Sequence, residues 1–308
     1  MSRPRPTLWY AHGPKQLYLS SSVVLELGCG PALCSSSYIP DRHYFAGRGG
    51  KDILPFYRDA GAREPNIGHC VLRTVSEQLK RNVNPEDSLA YIYGALAQPA
   101  FTARYAKELE TRELRVPITK KAALFEKVRA AGARLLWLHT YGERFVPKGK
   151  KRGQVPHGAA KCVKAVPGGA GGYPESFEYN DAARTLSVGV GEFAPISREV
   201  FEFEVSGLKV VHSWLKYRMK KGGGKKSSPL DDIRPERWTG QFTTELLELL
   251  WVLEATVAVY PEQAKYLEEV ASGPCFQADE FPPVPAEMRK PPVVRSAGGD
   301  LFEGLDEE

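Results

Sequence analysis

The stretch Thr243-Thr244-Glu245-Leu246-Leu247-Glu248-Leu249-Leu250-Trp251-Val252-Leu253-Glu254-Ala255-Thr256-Val257-Ala258-Val259 decides the fold class. Leu246, Leu249, Leu250, Leu253 and Val257 recur mostly at intervals of three and four residues, which places them on one stripe of a helix. A strand would need them at every second position. Glu248 and Glu254 interrupt the apolar run, so this helix packs on a core, and no segment is apolar for long enough to span a bilayer. Working outward, Pro261 opens another helix to about Ser272, and residues 205–219 read as a helix with a Ser206-Gly207 break near its start. Upstream, Asn84-Pro85-Glu86-Asp87 is a helix start, with Asn as the cap, Pro at the first helical position and acids in the first turn. Leu89, Ile92, Tyr93 and Leu96 continue it; Pro99 breaks the run and residues 101–110 read as a second helix. Thr119 opens a longer one, with Leu124, Phe125, Val128, Leu135 and Leu138 on a shared face.

Strand signals are sparse. Residues 1–80 are loop-rich, punctuated by Pro4, Pro6, Pro14, Pro31, Pro40, Pro55 and Pro65, and only 23–27 and 53–57 look like strands. Residues 147–174, rich in Gly, Lys and Pro, read as a mobile surface loop, and 177–179 with 185–190 as a hairpin across Asn180-Asp181. The expected fold is therefore α+β and predominantly helical. A loop-rich segment 1–80 packs on a body 81–277 (helical 84–145, loop and hairpin 146–195, helical 196–275), and a Pro-rich acidic tail 278–308 is poorly ordered.

Composition narrows the function. The 308 residues are 42% apolar and 26% charged, typical of a globular chain and incompatible with collagen or wholesale disorder. Five cysteines without a C-x-x-C pair argue against a disulfide scaffold, and the six histidines form no zinc spacing with them; the natural compartment is the cytoplasm. Net charge is +5, but its distribution says more. Lys148, Lys150, Lys151 and Arg152 form one basic cluster, and Lys216, Arg218, Lys220, Lys221, Lys225 and Lys226 a second, while five acids fall in the last nine residues. Such segments either simply face solvent or follow a phosphate backbone.

Catalytic motifs fail on inspection. Val23-Val24-Leu25-Glu26-Leu27-Gly28-Cys29-Gly30 is like the strand and glycine turn that open an S-adenosylmethionine fold, with Glu26, Gly28 and Gly30 as cofactor candidates. A poor helix former, Pro31-Ala32-Leu33-Cys34-Ser35-Ser36-Ser37, follows it, and neither Pro-Pro pair precedes an aromatic residue as an amino-methylation tetrapeptide requires. Gly222-Gly223-Gly224-Lys225-Lys226-Ser227 misses the phosphate-loop pattern at Met219 and Lys226, and no Asp-x-Lys or Glu-x-Lys nuclease pair occurs. His139 and His212 lie in apolar helical stretches and read as hydrogen-bonded structural residues; Trp137, Tyr141, Trp214 and Trp238 read as core or loop anchors.

Several ordered segments carry a family likeness. They are Lys51-Asp52-Ile53-Leu54-Pro55-Phe56-Tyr57-Arg58-Asp59-Ala60, Glu64-Pro65-Asn66-Ile67, Asn84-Pro85-Glu86-Asp87 leading to Ala90-Tyr91-Ile92-Tyr93-Gly94, and Arg115-Val116-Pro117-Ile118-Thr119. Leu136-Trp137-Leu138-His139-Thr140-Tyr141-Gly142-Glu143-Arg144-Phe145, Val205-Ser206-Gly207-Leu208-Lys209-Val210 and Ser228-Pro229-Leu230-Asp231-Asp232-Ile233-Arg234-Pro235-Glu236-Arg237-Trp238 complete them. The set resembles the C-terminal target-recognition region of Type ISP restriction-modification enzymes, in the actinobacterial branch of adenine-specific DNA methyltransferases. The resemblance implies recognition of double-stranded DNA by a chain without a catalytic site or cofactor of its own, beside a methyltransferase domain that uses S-adenosylmethionine. The ten basic residues above are then the expected DNA contacts, with no metal and no membrane involved. Two other readings stay open at this stage: an S-adenosylmethionine-dependent adenine methyltransferase using Glu26, Gly28 and Gly30, and a module that binds another protein through the tail beyond Phe281.

Overall fold

The computed structural model describes residues 6–22, 27, 29–40, 51–110, 114–169, 172–219 and 237–292. In chain order the first half contains α1 (Pro6–Tyr10), β1 (Tyr18–Ser22), β2 (Cys34–Ser36), β3 (Lys51–Pro55), α2 (His69–Leu79), α3 (Pro85–Leu96), α4 (Pro99–Arg104) and α5 (Ala122–His139). The second half contains β4 (Lys161–Lys164), β5 (Phe177–Asn180), β6 (Thr185–Val188), β7 (Gly191–Ala194), α6 (Arg198–Phe201), β8 (Glu204–Val205), β9 (Leu208–Lys209), α7 (Val210–Arg218), α8 (Gly240–Val257) and α9 (Tyr260–Ala271). The α+β, helix-rich expectation holds. Among the described residues no helix is long and apolar enough to cross a membrane.

Helices α3 and α5 meet backbone to backbone. A Cβ on Gly132 would overlap the Ala90 carbonyl oxygen, and one on Gly94 the Val128 carbonyl oxygen. The start of α3 is the capping box its sequence announces: Asn84 accepts from the Asp87 amide at 2.7 Å, and Asp87 accepts from the Asn84 amide at 3.4 Å. Around this crossing, Leu89, Tyr93, Leu96, Leu135, Leu136 and Leu138 form the first core. His139 ties it to α8. Its Nδ1 lies 2.6 Å from the Tyr93 hydroxyl and its Nε2 3.0 Å from Thr256 Oγ1, and burial holds its pKa down at about 4.

The sheets are antiparallel. β1 lies between β2 and β3, pairing Leu19 with both Ser35 and Leu54. The larger sheet runs β4-β7-β6-β5, and its inward residues Leu186, Val188 and Phe193 close a second core with Leu246, Leu249, Leu250 and Leu253 of α8. The hairpin expected across Asn180-Asp181 is β5–β6, with Phe177 opposite Val188.

Several expectations need correction. Most of the strand expected at 23–27 lies outside the described residues, and the strand seen is β1. The loop-rich 1–80 segment ends in α2, whose Leu72, Val75 and Leu79 are buried. The helix expected at 101–110 splits into α4 and a 3-10 turn at Glu108–Glu110. The helix expected from 205 starts at Val210, because Ser206 and Gly207, at φ of 47° and 83°, turn the chain between β8 and β9. The 147–174 stretch is not all loop: β4 pairs with β7 inside it. The expected disordered tail is ordered through Pro292, with 3-10 turns at Ala278–Glu280 and Ala286–Arg289. Buried Arg58 holds it there, donating to the carbonyls of Met288 at 3.0 Å and Lys290 at 2.9 Å. The rest of that tail, 293–308, lies outside the described residues.

Two tests follow from this packing. Helix propensity alone would make Gly132→Ala stabilising by about 1 kcal/mol. The clash with α3 should instead lower stability by about 1–3 kcal/mol, read as a lower urea midpoint. For His139 the folded pKa is below the ordinary value near 6.5, so the unfolded chain takes up the proton first. Its contribution is complete above about pH 6.5 and is lost as pH falls toward 4; urea midpoints measured across that window should decline less in His139→Gln than in the native chain.

Candidate nucleic-acid interface

Arg218 is the last residue of α7 and precedes the second basic run in the sequence. Its guanidinium lies 4.0 Å over the Trp214 ring and donates to Glu245 of α8 at 3.1 Å, while the Phe242 ring is 5.6 Å away. Its carbonyl accepts from the buried Tyr173 hydroxyl at 2.8 Å. On the other side stands Tyr141, just past α5. Burial pushes its phenol up to about 12, with Glu248 and Glu245 adding to the shift and Arg218 opposing it. The first basic segment follows α5 at Tyr141, and Tyr173, further along the chain, is bonded to Arg218 at the end of α7. A Cβ on Gly168 would lie 3.4 Å from the carbonyl oxygen of Trp238, which follows the second basic run in the sequence.

The first segment is braced at its neck. The Gly153 amide donates to the Gly142 carbonyl at 3.0 Å, and Arg152 Nε donates to Glu143 at 2.6 Å. Lys148, Lys150 and Lys151 are exposed beyond this closure. After the neck the chain is fastened to α8. The His157 ring lies 4.3 Å from Trp251, Trp251 Nε1 donates to the Ala160 carbonyl at 2.8 Å, and the Glu254 carboxylate accepts from the amides of Ala159 at 2.7 Å and Ala160 at 3.1 Å.

Of the ten basic residues expected at a DNA surface, Lys148, Lys150, Lys151 and Lys216 are exposed and make no ion pair with the described residues. Arg152 is exposed but paired with Glu143. Arg218 is turned inward as a brace: the sequence presents it as one more cation in a run, and its aromatic and acidic partners on and before α8 decide otherwise. Lys220, Lys221, Lys225 and Lys226 lie outside the described residues. Of the alternative cofactor candidates, Glu26 and Gly28 also lie outside them. Gly30 is used in packing: at φ 90°, a Cβ there would overlap the Glu204 carbonyl oxygen, and its own carbonyl accepts from Thr102 at 2.6 Å.

Sequence reasoning missed a cleft of about 490 Å³ along α7, lined by Gly207, Leu208, Lys209, His212, Ser213, Lys216 and Tyr217. The signal was available, since 209, 212, 213, 216 and 217 fall on one helical face. His212 leans on the Phe201 ring at 4.4 Å, and burial lowers its pKa despite the Glu202 carboxylate 3.7 Å away.

A helix-rich α+β domain that presents exposed lysines on a braced surface segment is the class these features define. The chain belongs to the Type ISP C-terminal specificity domain family, whose model matches residues 1–249. A search of curated proteins finds no match. Among solved structures it is similar to a DrdV–DNA complex seen by electron cryomicroscopy (TM-score 0.60, 16% identity, 86% of this chain and 26% of that one). It is also similar to the ATP-dependent Type ISP restriction-modification enzyme LlaBIII bound to DNA (0.58, 17%, 85% and 16%). A nuclease-deletion mutant of the Type ISP enzyme LlaGI with a DNA substrate mimic gives 0.53, 19%, 85% and 18%. The chain thus spans about a quarter or less of the length of each of these proteins.

Removing the brace should show in exchange. Glu254→Ala deletes the acceptor of two loop amides, and hydrogen bonds to a charged group are worth about 1.5–3 kcal/mol. Amide exchange at Ala159 and Ala160 should quicken by about tenfold or more, with α3 and α5 unaffected; unchanged rates would mean the loop is held elsewhere.

Proposed function

We propose that this chain is the sequence-specific double-stranded DNA recognition domain of a Type ISP-like restriction-modification system. It acts in the cytoplasm, without a catalytic site or cofactor of its own, beside a methyltransferase domain that binds S-adenosylmethionine and modifies adenine. The observation that carries this reading is the match of residues 1–249 to the specificity-domain family, in a chain whose described surface presents Lys148, Lys150 and Lys151 on a braced segment. Its three solved neighbours are described as DNA complexes or a complex with a DNA mimic, which supports the same reading.

The physics is that of polyanion binding. Each lysine that neutralises a phosphate releases condensed counterions, so affinity falls with salt in proportion to the number of phosphates neutralised. Phosphate contacts fix position and register, and side chains reaching base edges supply the sequence preference. Lysines on two segments of one domain can grip the same duplex.

The test is the salt dependence of duplex binding. Changing Lys148, Lys150 and Lys151 to Ala, or Lys220, Lys221, Lys225 and Lys226 to Ala, should weaken binding to all sequences alike. Each phosphate no longer neutralised should flatten the log–log slope by about 0.9. Slopes equal to the native chain's in both variants would contradict the phosphate role of these segments.

A further inference from the structure

The lysine segments leave one adjoining surface unaccounted for, the outer face of α7. Val211 and Leu215 anchor the helix in the second core. The opposite positions Lys209, His212, Ser213, Lys216 and Tyr217 line the open cleft. Tyr217 is 64% exposed, and Ser213, Lys216 and Tyr217 make no hydrogen bond or ion pair with the described residues. Glu202, a carboxylate beside this face, is already paired with Lys209, so it does not leave the surface repelling an anion. An α-helix is about 10–12 Å across with its side chains, and the major groove of B-DNA, about 12 Å wide, admits one. A tyrosine and a serine hydroxyl each donate and accept, which is what bases ask of a reader, and tyrosine does so with few rotamers to freeze. In the sequence the second lysine run follows this helix directly.

We infer that the outer face of α7 enters the major groove of the target duplex, with Ser213 and Tyr217 reading base edges and Lys216 on the flanking phosphate. This rests on the DNA-recognition reading above and goes beyond it by assigning which surface carries the sequence preference. Removing a hydrogen bond to a base edge costs discrimination, whereas removing a cation from a phosphate weakens all duplexes equally.

The experiment uses the 308-residue chain with Ser213→Ala and Tyr217→Phe combined. Both side chains are at the surface, so unchanged thermal unfolding is expected to confirm an intact fold. Binding is measured to a duplex enriched by the native chain from a random pool, and to a scrambled duplex of the same composition. The expected result is a loss of about 10- to 100-fold for the enriched duplex, with the scrambled duplex and the salt slope unchanged. Equal loss for both duplexes, or no loss for either, would overturn the assignment while leaving DNA binding in place. A native chain that enriches no duplex from the pool and binds none would remove the DNA reading itself, and this inference with it.

Discussion

Helix α8 has to satisfy two hydrophobic cores at once. Val252 enters the core of α3 and α5, whereas Leu246, Leu249, Leu250 and Leu253 enter the one closed by the four-stranded sheet. Rotating the helix to improve one contact would open the other, so its azimuth is fixed, and the directions of its polar positions are fixed with it. Each of these holds a different part of the molecule. Glu245 takes Arg218, Trp251 and Glu254 take the exit of the first basic segment, and Thr256 takes His139. The anchoring of Arg218 and of the first basic segment is thus a consequence of core packing.

This mounting matters for binding. A free loop must be ordered when it meets its ligand, and each immobilised long side chain costs about 0.5–1.5 kcal/mol. Closing the neck at Gly142 and Gly153 and fastening the exit to α8 orders the backbone beforehand, leaving mainly lysine side chains to be frozen. Arg218 illustrates the division of labour. Its charge is used against Trp214 and Glu245 to hold the end of α7, whereas its neighbour Lys216 is presented to solvent.

The sequence disclosed what local chemistry controls. The stripe on α8, the capping box at Asn84 and the hairpin at Asn180 all depend on neighbours a few residues away, and all are where the pattern puts them. What escaped depends on distant partners. β4 carries Lys161, Cys162, Val163 and Lys164, with no alternation of apolar residues, and is a strand because β7 supplies its hydrogen bonds. Arg58 orders carbonyls some 230 residues further on, so the tail's Pro-rich composition pointed the wrong way as far as Pro292. The candidate site was legible to the same extent. Lys148, Lys150 and Lys151 are as exposed as their surroundings imply, and the spacing of 209, 212, 213, 216 and 217 already put the cleft residues on one helical face, whereas the inward turn of Arg218 follows from tertiary placement.

The central claim is that this chain recognises DNA sequence by itself. The most direct measurement is to bind the purified chain to a random pool of duplexes at physiological salt and sequence what is retained. A reproducibly enriched motif is the predicted result. Binding that vanishes as salt is raised and enriches nothing would contradict it, reducing the basic segments to a surface without sequence preference.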